Sequence, residues 1–259
     1  MLNYIKSEFY RNVNTKGNYI FLFGSMAFVI FLNVALGLFA KSQVNFPYGN
    51  TYFSLSSFYN GMGFLMILCV PLVSIIYGQE FKHRTLKNSI AYGISRSEIY
   101  LGKFLMEVII CTRNFMLISS VYVISAYFML EDSGIVYLKD FIQAIVACFP
   151  LLIASITAAH CFYLIFDDET TTIASWAIVM VVIPQLASLA GRRIYILEKI
   201  SEWMPWNMVG NAVFDSETRR LIMSWSSQDG FIRCFIVGAI GLVIFYTLGL
   251  LMFKKKEIK

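Results

Sequence analysis

The segment GQEFKHRTLKNSIAYGISRSEIYLGKF runs from Gly78 to Phe104 and separates two long apolar stretches. It carries five Lys and Arg residues, in a chain that is 14% charged and 58% hydrophobic. Soluble domains average about a quarter charged residues, and apolar runs of about 20 residues have the length of a membrane-spanning helix. The composition therefore predicts an all-α integral membrane protein, with this basic segment as one of its connections.

Six apolar stretches are long enough to cross a bilayer as helices. No segment is both long and polar enough to form a separate soluble domain, so we predict a single transmembrane domain over residues 1–259. The predicted spans are Tyr19–Ala40, Ser57–Gly78, Phe104–Leu130, Phe141–Phe166, Ile173–Gly191 and Phe231–Phe253.

The distribution of Lys and Arg predicts the orientation of these spans. If the N-terminus is inside, the inner segments hold twelve Lys and Arg residues; the outer side holds eight, six of them in one long loop or, for Arg233, in the first turn of the span that follows it. Positive charge concentrates on the cytoplasmic side of membrane proteins. We therefore expect both termini and the Gly78–Phe104 connection to be cytoplasmic.

The first residues of the chain have the pattern of an amphipathic helix. Leu2, Ile5, Phe9 and Val13 fall on one face at 3.6 residues per turn, and polar residues lie opposite. Such a helix lies in the membrane interface with its apolar face in the lipid. We predict an interfacial helix on the inner leaflet that leads into the first span.

The outer segment Arg192–Asp229 is rich in apolar and aromatic residues and holds three of the four tryptophans. Tryptophan concentrates at the membrane–water interface. We predict short helices at the outer interface, broken at Pro205. The segment is either a simple aromatic anchor or a lid over an outward exit, and Trp203, Pro205 and Trp206 are its candidate residues.

Within Gly78–Phe104, the local pattern predicts a helix, a sharp stop and a second helix. Glu80–Ala91 contains no Gly or Pro, and Gly93 stands where a left-handed helix stop is expected. Ser95 and Glu98 have the spacing of a capping box that opens the next helix. We interpret the segment as a rigid docking element; the alternative is a basic loop held by anionic lipid.

Charged and histidine residues inside the spans are costly, so they mark polar contacts or a transport path. The candidates are Glu107, Arg113 and His160. Lys103 and Glu107 can pair at i, i+4, and Asp167 and Asp168 are possible partners of Arg113. Asp168 also suits the N-cap of the fifth span, which is the preferred interpretation.

Catalytic and cofactor motifs are absent from the sequence. LGKF at Leu101–Phe104 fails the phosphate-loop pattern, which needs Gly at Ser97 and Ser or Thr at Phe104. The five cysteines are scattered singly and are expected to be core residues. We therefore predict no catalytic residue, no metal site and no cofactor bound by this chain; an intramembrane protease using Glu107 and His160 is the alternative of another class.

Residues Glu80–Lys103 resemble the connection between the second and third spans of ABC-2 type permeases. The shared features are Thr-Leu-Lys-Asn, then Ser-Arg, then an aliphatic–Tyr–x–Gly–Lys run. The C-terminal Gly-x-x-x-Phe-Lys-Lys-Lys of Gly249–Lys259 is also similar to the family's ending, and the six spans agree with it.

The resemblance implies a membrane subunit of a bacterial ABC exporter in the cytoplasmic membrane. Two permease copies, identical or related, would pair with two ATPase chains that bind ATP and Mg; nucleic acid is not an expected partner. The connection would be the coupling helix that docks in the ATPase. The implied coupling residues are Glu80, His83, Leu86, Lys87, Ile90, Ser95, Arg96 and Glu98.

The resemblance also suggests a cargo. The short single-domain build is similar to permeases that export amphipathic, antimicrobial or toxin peptides, including lantibiotic-immunity, bacitracin-resistance and phenol-soluble-modulin exporters. An ion exporter of the sodium type or a drug exporter is the alternative within the same superfamily.

Overall fold

A computed structural model describes residues 2–43, 46–83, 85–166, 168–210, 212–215 and 220–256, with side chains for all of these except 2, 78–87, 212–215 and 220–222. Most of this chain is helical. The helices are α1 Leu2–Val13, α2 Lys16–Ser42, α3 Thr51–Asn60, α4 Met62–His83, α5 Thr85–Ala91, α6 Arg96–Met129, α7 Ile135–Ile165, α8 Glu169–Ala177, α9 Ile183–Gly191, α10 Tyr195–Ser201, α11 Pro205–Gly210 and α12 Gln228–Lys255.

Five helical segments are long and apolar enough to cross a membrane: α2, α6, α7, α8 with α9, and α12. A sixth candidate is broken. Helices α3 and α4 meet at Gly61 with a bend of 58°. Asn50 caps the start of α3 by accepting a hydrogen bond from the Phe53 amide at 2.9 Å. The predicted second span is thus a bent pair that begins before Ser57.

Helix α7 is the centre of the bundle, and α12 packs closely along it. The contact is built on small residues, which let helix backbones approach. A Cβ added to Gly238 would lie 2.6 Å from the Pro150 carbonyl carbon, and one added to Gly241 would lie 2.9 Å from the Ala154 Cβ. These glycines therefore allow the last span to seat against α7.

The fifth span is irregular in its middle. A π-helical segment, Ile178–Val182, separates α8 from α9, and Pro184 stands in the first turn of α9. Proline has no backbone N–H to donate, so it accompanies a local change of helix type. Asn207 on α11 donates a hydrogen bond to the Pro184 carbonyl at 2.9 Å, which ties α11 to this irregular span.

The outer segment contains a feature that the all-α prediction missed. Helices α10 and α11 are present, with α11 starting at Pro205, but a short antiparallel hairpin follows, formed by β1 Ala212–Asp215 and β2 Arg220–Met223. Strands this short carry too few residues to show an alternating pattern. Only the pairing of the two segments makes them strands.

Helix α1 packs on α6 through a face that differs from its predicted apolar stripe. Tyr4, Glu8 and Asn12 are buried, one helical turn apart, whereas Phe9 is 51% exposed. Gly102 on α6 leaves room for the Tyr4 ring, because a Cβ at position 102 would lie only 2.9 Å from the ring. The polar and aromatic face thus holds α1 on the bundle, and Phe9 points away from it.

Candidate coupling site and buried polar network

The stop between α5 and α6 is a Schellman motif centred on Gly93. Gly93 has φ +83°, a backbone conformation that residues with a Cβ rarely adopt. The Gly93 amide donates to the Ile90 carbonyl at 2.9 Å, and the Ile94 amide donates to the Ser89 carbonyl at 3.2 Å. These two bonds satisfy the last carbonyls of α5 and fix the direction in which the chain leaves it.

The next helix begins at once with the predicted capping box. The Glu98 amide donates to the Ser95 hydroxyl at 3.3 Å, and the Ser95 amide donates to the Glu98 carboxylate at 3.1 Å. Only Tyr92–Ser95 separate the two helices. Because both helix ends are hydrogen-bonded, the connection is a rigid joint between α5 and α6.

Arg96 fastens this joint to the end of the last span. Its Nη1 donates to the carbonyls of Phe253, Lys254 and Lys256 at 3.2, 2.5 and 2.7 Å. A guanidinium suits the C-terminus of a helix, where carbonyls are unpaired and the helix dipole is negative. Arg96 therefore links the start of α6 to the end of α12.

We expect Gly93→Val to loosen the joint. A β-branched residue at φ +83° costs about 1–2 kcal/mol, so amide exchange at residues 93–95, measured by mass spectrometry, should accelerate by about tenfold. Gly93→Asn is the matched control, because Asn tolerates this conformation. Equal exchange rates in the two variants would show that the φ angle does not hold the joint.

The described coupling candidates do not all face outward. Ile90, predicted as a coupling residue, is half-buried and packs against the core of the bundle. Tyr92, which is not among the predicted coupling residues, is 87% exposed just after α5. The Gly93 turn was the sequence signal that could have identified Tyr92, because a tight turn leaves the side chain before it at the tip of the connection. The side chains of Glu80, His83, Leu86 and Lys87 lie outside the described residues.

Two of the candidate polar residues, Glu107 and His160, meet inside the bundle. His160 Nδ1 lies 2.9 and 3.1 Å from the two Glu107 carboxylate oxygens and 2.9 Å from the Tyr77 hydroxyl. Both Glu107 and His160 are fully buried. The contact joins α4, α6 and α7, and His160 Nε2 has no hydrogen-bond partner among the described atoms.

Lys103 has a different partner from the one predicted. Its Nζ lies 3.3 Å from a Glu8 carboxylate oxygen on α1 and 5.5 Å from the centre of the Tyr77 ring. Glu8 also pairs with Arg11 at 2.5 Å. The predicted Lys103–Glu107 pair is wrong because α1 brings its own carboxylate to Lys103, while α7 brings His160 to Glu107. Both partners lie far from Lys103 and Glu107 in the sequence, so no local pattern indicates either contact.

The Arg113 guanidinium does not pair with Asp168. Its guanidinium donates to the Asn114 side-chain oxygen at 3.0 and 3.2 Å. Asp168 is the N-cap of α8, as preferred, and accepts from the Thr171 amide at 2.7 Å. That bond and the Thr171 hydroxyl lower the pKa of Asp168, so the cap is complete above the usual carboxyl pKa and is lost as pH falls. Asp167 lies outside the described residues.

The buried network has the geometry of a helix–helix contact. In the described part of the chain, no three His, Cys, Asp or Glu side chains form a group that could hold a metal ion. Glu107 and His160 do converge, which the protease alternative requires, but a hydroxyl from Tyr77 completes the group. The arrangement can fix α4, α6 and α7 relative to one another.

The comparison with known families decides the membership of the chain. Residues 4–190 match the family described as ABC-2 family transporter protein. The chain belongs to the ABC-2 transporter family. No curated protein and no solved structure has a significant match to it.

Membership makes this ABC-2 permease a membrane subunit of an ABC transporter, multi-pass and partnered by an ATPase, in a family whose members generally lack an ATPase site of their own. The matched residues contain the whole α5–α6 joint and both members of the Glu107–His160 contact. Helices α10–α12 and the β-hairpin follow the matched region.

The residues of the segment predicted to lie outside divide between the surface and the core of the permease. Trp203 is 43% exposed, and the Arg233 guanidinium lies 5.5 Å from its ring centre. Trp206 packs against Gly63, and a Cβ on Gly63 would lie 3.5 Å from the Trp206 ring. Pro205 starts α11, whose Met208 and Val209 are buried in the core. Helix α11 thus enters the end of the bundle, whereas α10 stays on its surface.

Proposed function

We propose that this chain is the permease of an ABC exporter for amphipathic peptides in a bacterial cytoplasmic membrane. Two copies would assemble with two ATPase chains, which bind ATP and Mg. Helix α5 and Tyr92 would form the docking element on the cytoplasmic side. The outer helices α10 and α11 would lie at the opposite membrane interface.

The observation that carries this proposal is the joint between α5 and α6. A docking element transmits force only if it is rigidly connected to the spans it moves. The Gly93 stop, the Ser95–Glu98 capping box and the Arg96 contacts to the end of α12 supply that connection. A displacement of α5 by a closing ATPase would therefore move α6 and α12 together.

The inner end of α6 also connects to the buried network. Lys103 contacts Glu8 on α1, and Glu107, one turn further along α6, contacts His160 on α7. A shift of α6 must either move the partners of these two contacts or break the contacts. The Lys103–Glu8 contact would make α1 follow the joint, and the Glu107–His160 contact would pass the movement to the centre of the bundle.

The exposed ring of Tyr92 gives the sharpest test of docking. We expect Tyr92→Ala to weaken binding of the partner ATPase by about 2 kcal/mol, or roughly thirtyfold, because exposed aromatic residues are frequent hot spots of interfaces. The measurement is co-purification and titration of candidate ABC ATPases on the permease in nanodiscs. Tyr195→Ala is the control, since Tyr195 is 70% exposed near the opposite end of the bundle.

Unchanged ATPase affinity in the Tyr92 variant would refute this docking surface, and failure of every ABC ATPase to bind the wild-type permease would refute the proposed function. Cargo is tested separately in the reconstituted complex. Stimulation of ATP hydrolysis by amphipathic peptides supports a peptide exporter, and stimulation by sodium ions or by hydrophobic drugs supports one of the alternatives.

A further inference from the structure

A cleft opens at the end of the bundle opposite the α5–α6 joint. Its volume is about 670 Å³, within the range of about 300–1,000 Å³ typical of ligand sites. One face of α3, the first turns of α7 and the chain that follows β2 form its three walls. The described lining residues are Tyr52, Phe53, Ser56, Ser57, Tyr59, Asn60, Tyr137, Asp140, Gln143, Met223, Trp225, Ser226 and Ser227.

Asp140 is the single charged residue in that described lining. No described Lys, Arg or His side chain pairs with its carboxylate, although the whole chain carries a formal net charge of +5. A carboxylate in a partly enclosed, aromatic site without a partner cation favours a positively charged ligand.

Aromatic side chains line the same cleft as the Asp140 carboxylate. Tyr52 and Tyr137 form a tilted pair with ring centres 4.6 Å apart, and Tyr59 and Trp225 form an edge-to-face pair at 5.6 Å. Ring faces attract ammonium groups, and more strongly where water is partly excluded. The cleft thus combines a carboxylate with the aromatic surface that binds an alkylammonium.

We propose that this cleft binds the cationic part of an amphipathic peptide, with a lysine or N-terminal ammonium on Asp140 and the adjoining alkyl chain against the rings of Tyr52 and Tyr137. The inference rests on the proposed export of amphipathic peptides and names the charge of the cargo and the place where the permease holds it. In the orientation expected from the Lys and Arg distribution, the cleft faces the outside.

The test measures binding to the full-length permease in lipid nanodiscs, with empty nanodiscs as the blank. The probe is a synthetic leucine–lysine amphipathic helix carrying a fluorophore, and the comparison peptide has glutamine for lysine and an acetylated N-terminus. We expect Asp140→Asn to weaken binding of the cationic peptide by about tenfold and Tyr52→Leu to weaken it by about threefold. The uncharged peptide should bind weakly to all variants.

Asp229→Asn is the matched control, because Asp229 is an exposed carboxylate in the first turn of α12, outside the cleft. The affinity of the Asp229→Asn variant for the cationic peptide should stay within about twofold of wild type. Tyr52→Leu keeps an apolar side chain and removes only the aromatic ring, so it reports on the cleft even if Asp140→Asn fails to fold.

Three results would overturn the inference: no binding of the cationic peptide to the wild-type permease, equal affinity for the charged and uncharged peptides, or unchanged affinity in both cleft variants. Full competition by tetramethylammonium at the same affinity would mean that the site takes small cations and not a peptide. ATPase binding at the opposite end is measured independently, so failure of the cleft leaves the exporter proposal standing.

Discussion

His160→Ala is expected to destabilise the permease by about 3–5 kcal/mol, because it leaves the Glu107 carboxyl group buried without its hydrogen-bond partner and leaves a cavity where the ring stood. Both side chains are fully buried, so solvent cannot replace the lost contact. Thermal unfolding in detergent, followed by tryptophan fluorescence, measures the loss. Glu202→Ala is the control: its contact with Lys199 is exposed, and such pairs contribute about 1 kcal/mol or less.

A double variant separates the pair from its environment. Replacing both Glu107 and His160 by leucine removes both polar groups, and replacing both partners of a buried hydrogen bond by apolar groups can be nearly neutral. We therefore expect the double variant to be more stable than either single leucine variant. A double variant that loses the sum of the two single losses would contradict a direct interaction between these side chains.

The same residues also test the competing enzymatic interpretation. Glu107→Gln keeps the shape of the side chain and its hydrogen-bonding oxygen but removes the carboxylate. If transport by the reconstituted complex persists in this variant, Glu107 performs no acid–base chemistry. Complete loss of function in a variant that folds and binds the ATPase would instead favour a chemical role for the Glu107–His160 contact.

Gly238→Leu is expected to prevent α12 from seating against α7. Even a methyl group at this position would lie 2.6 Å from the Pro150 carbonyl carbon, and backbone atoms cannot move aside as a flexible side chain can. Overpacking costs about 1–3 kcal/mol in ordinary cores, and more where backbone must shift. We expect Gly238→Ala to lose at least about 2 kcal/mol and Gly238→Leu to accumulate as misfolded protein.

Gly24 supplies the matched control for this prediction. It lies within the α2 span, and a Cβ there would meet no atom within 4 Å. Gly24→Ala should therefore be neutral or stabilise the protein by about 0.5–1 kcal/mol through helix propensity. Detergent-solubilised yield and unfolding temperature distinguish the two variants, and similar losses at both positions would show that the α7–α12 approach is not the cause.

Local chemistry made much of the connection between Gly78 and Phe104 predictable. The Gly93 stop and the Ser95–Glu98 capping box need only neighbouring residues, so the sequence contains all the information for them. The same is true of the Asp168 cap, whose partner is three residues away. These features were predicted correctly because hydrogen bonds within one turn of chain do not depend on the fold.

Contacts between distant segments were the ones that sequence reasoning missed or assigned wrongly. Lys103 meets Glu8, 95 residues earlier, and Arg96 meets carbonyls up to 160 residues later. The i, i+4 rule selected Glu107 for Lys103 because it considers one helix alone. The three-helix meeting of Tyr77, Glu107 and His160 likewise has no local signature.

The sequence by itself determined that this protein is a bundle of membrane-length helices with a basic, helix–stop–helix connection, because span length, charge asymmetry and capping are local properties of the chain. Only the tertiary structure decided what that connection is attached to, which face of α1 is buried, and that α3, α7 and Trp225 enclose a cleft around Asp140. The reason is physical: burial and pairing depend on which helices pack together, and that packing is a property of the whole bundle.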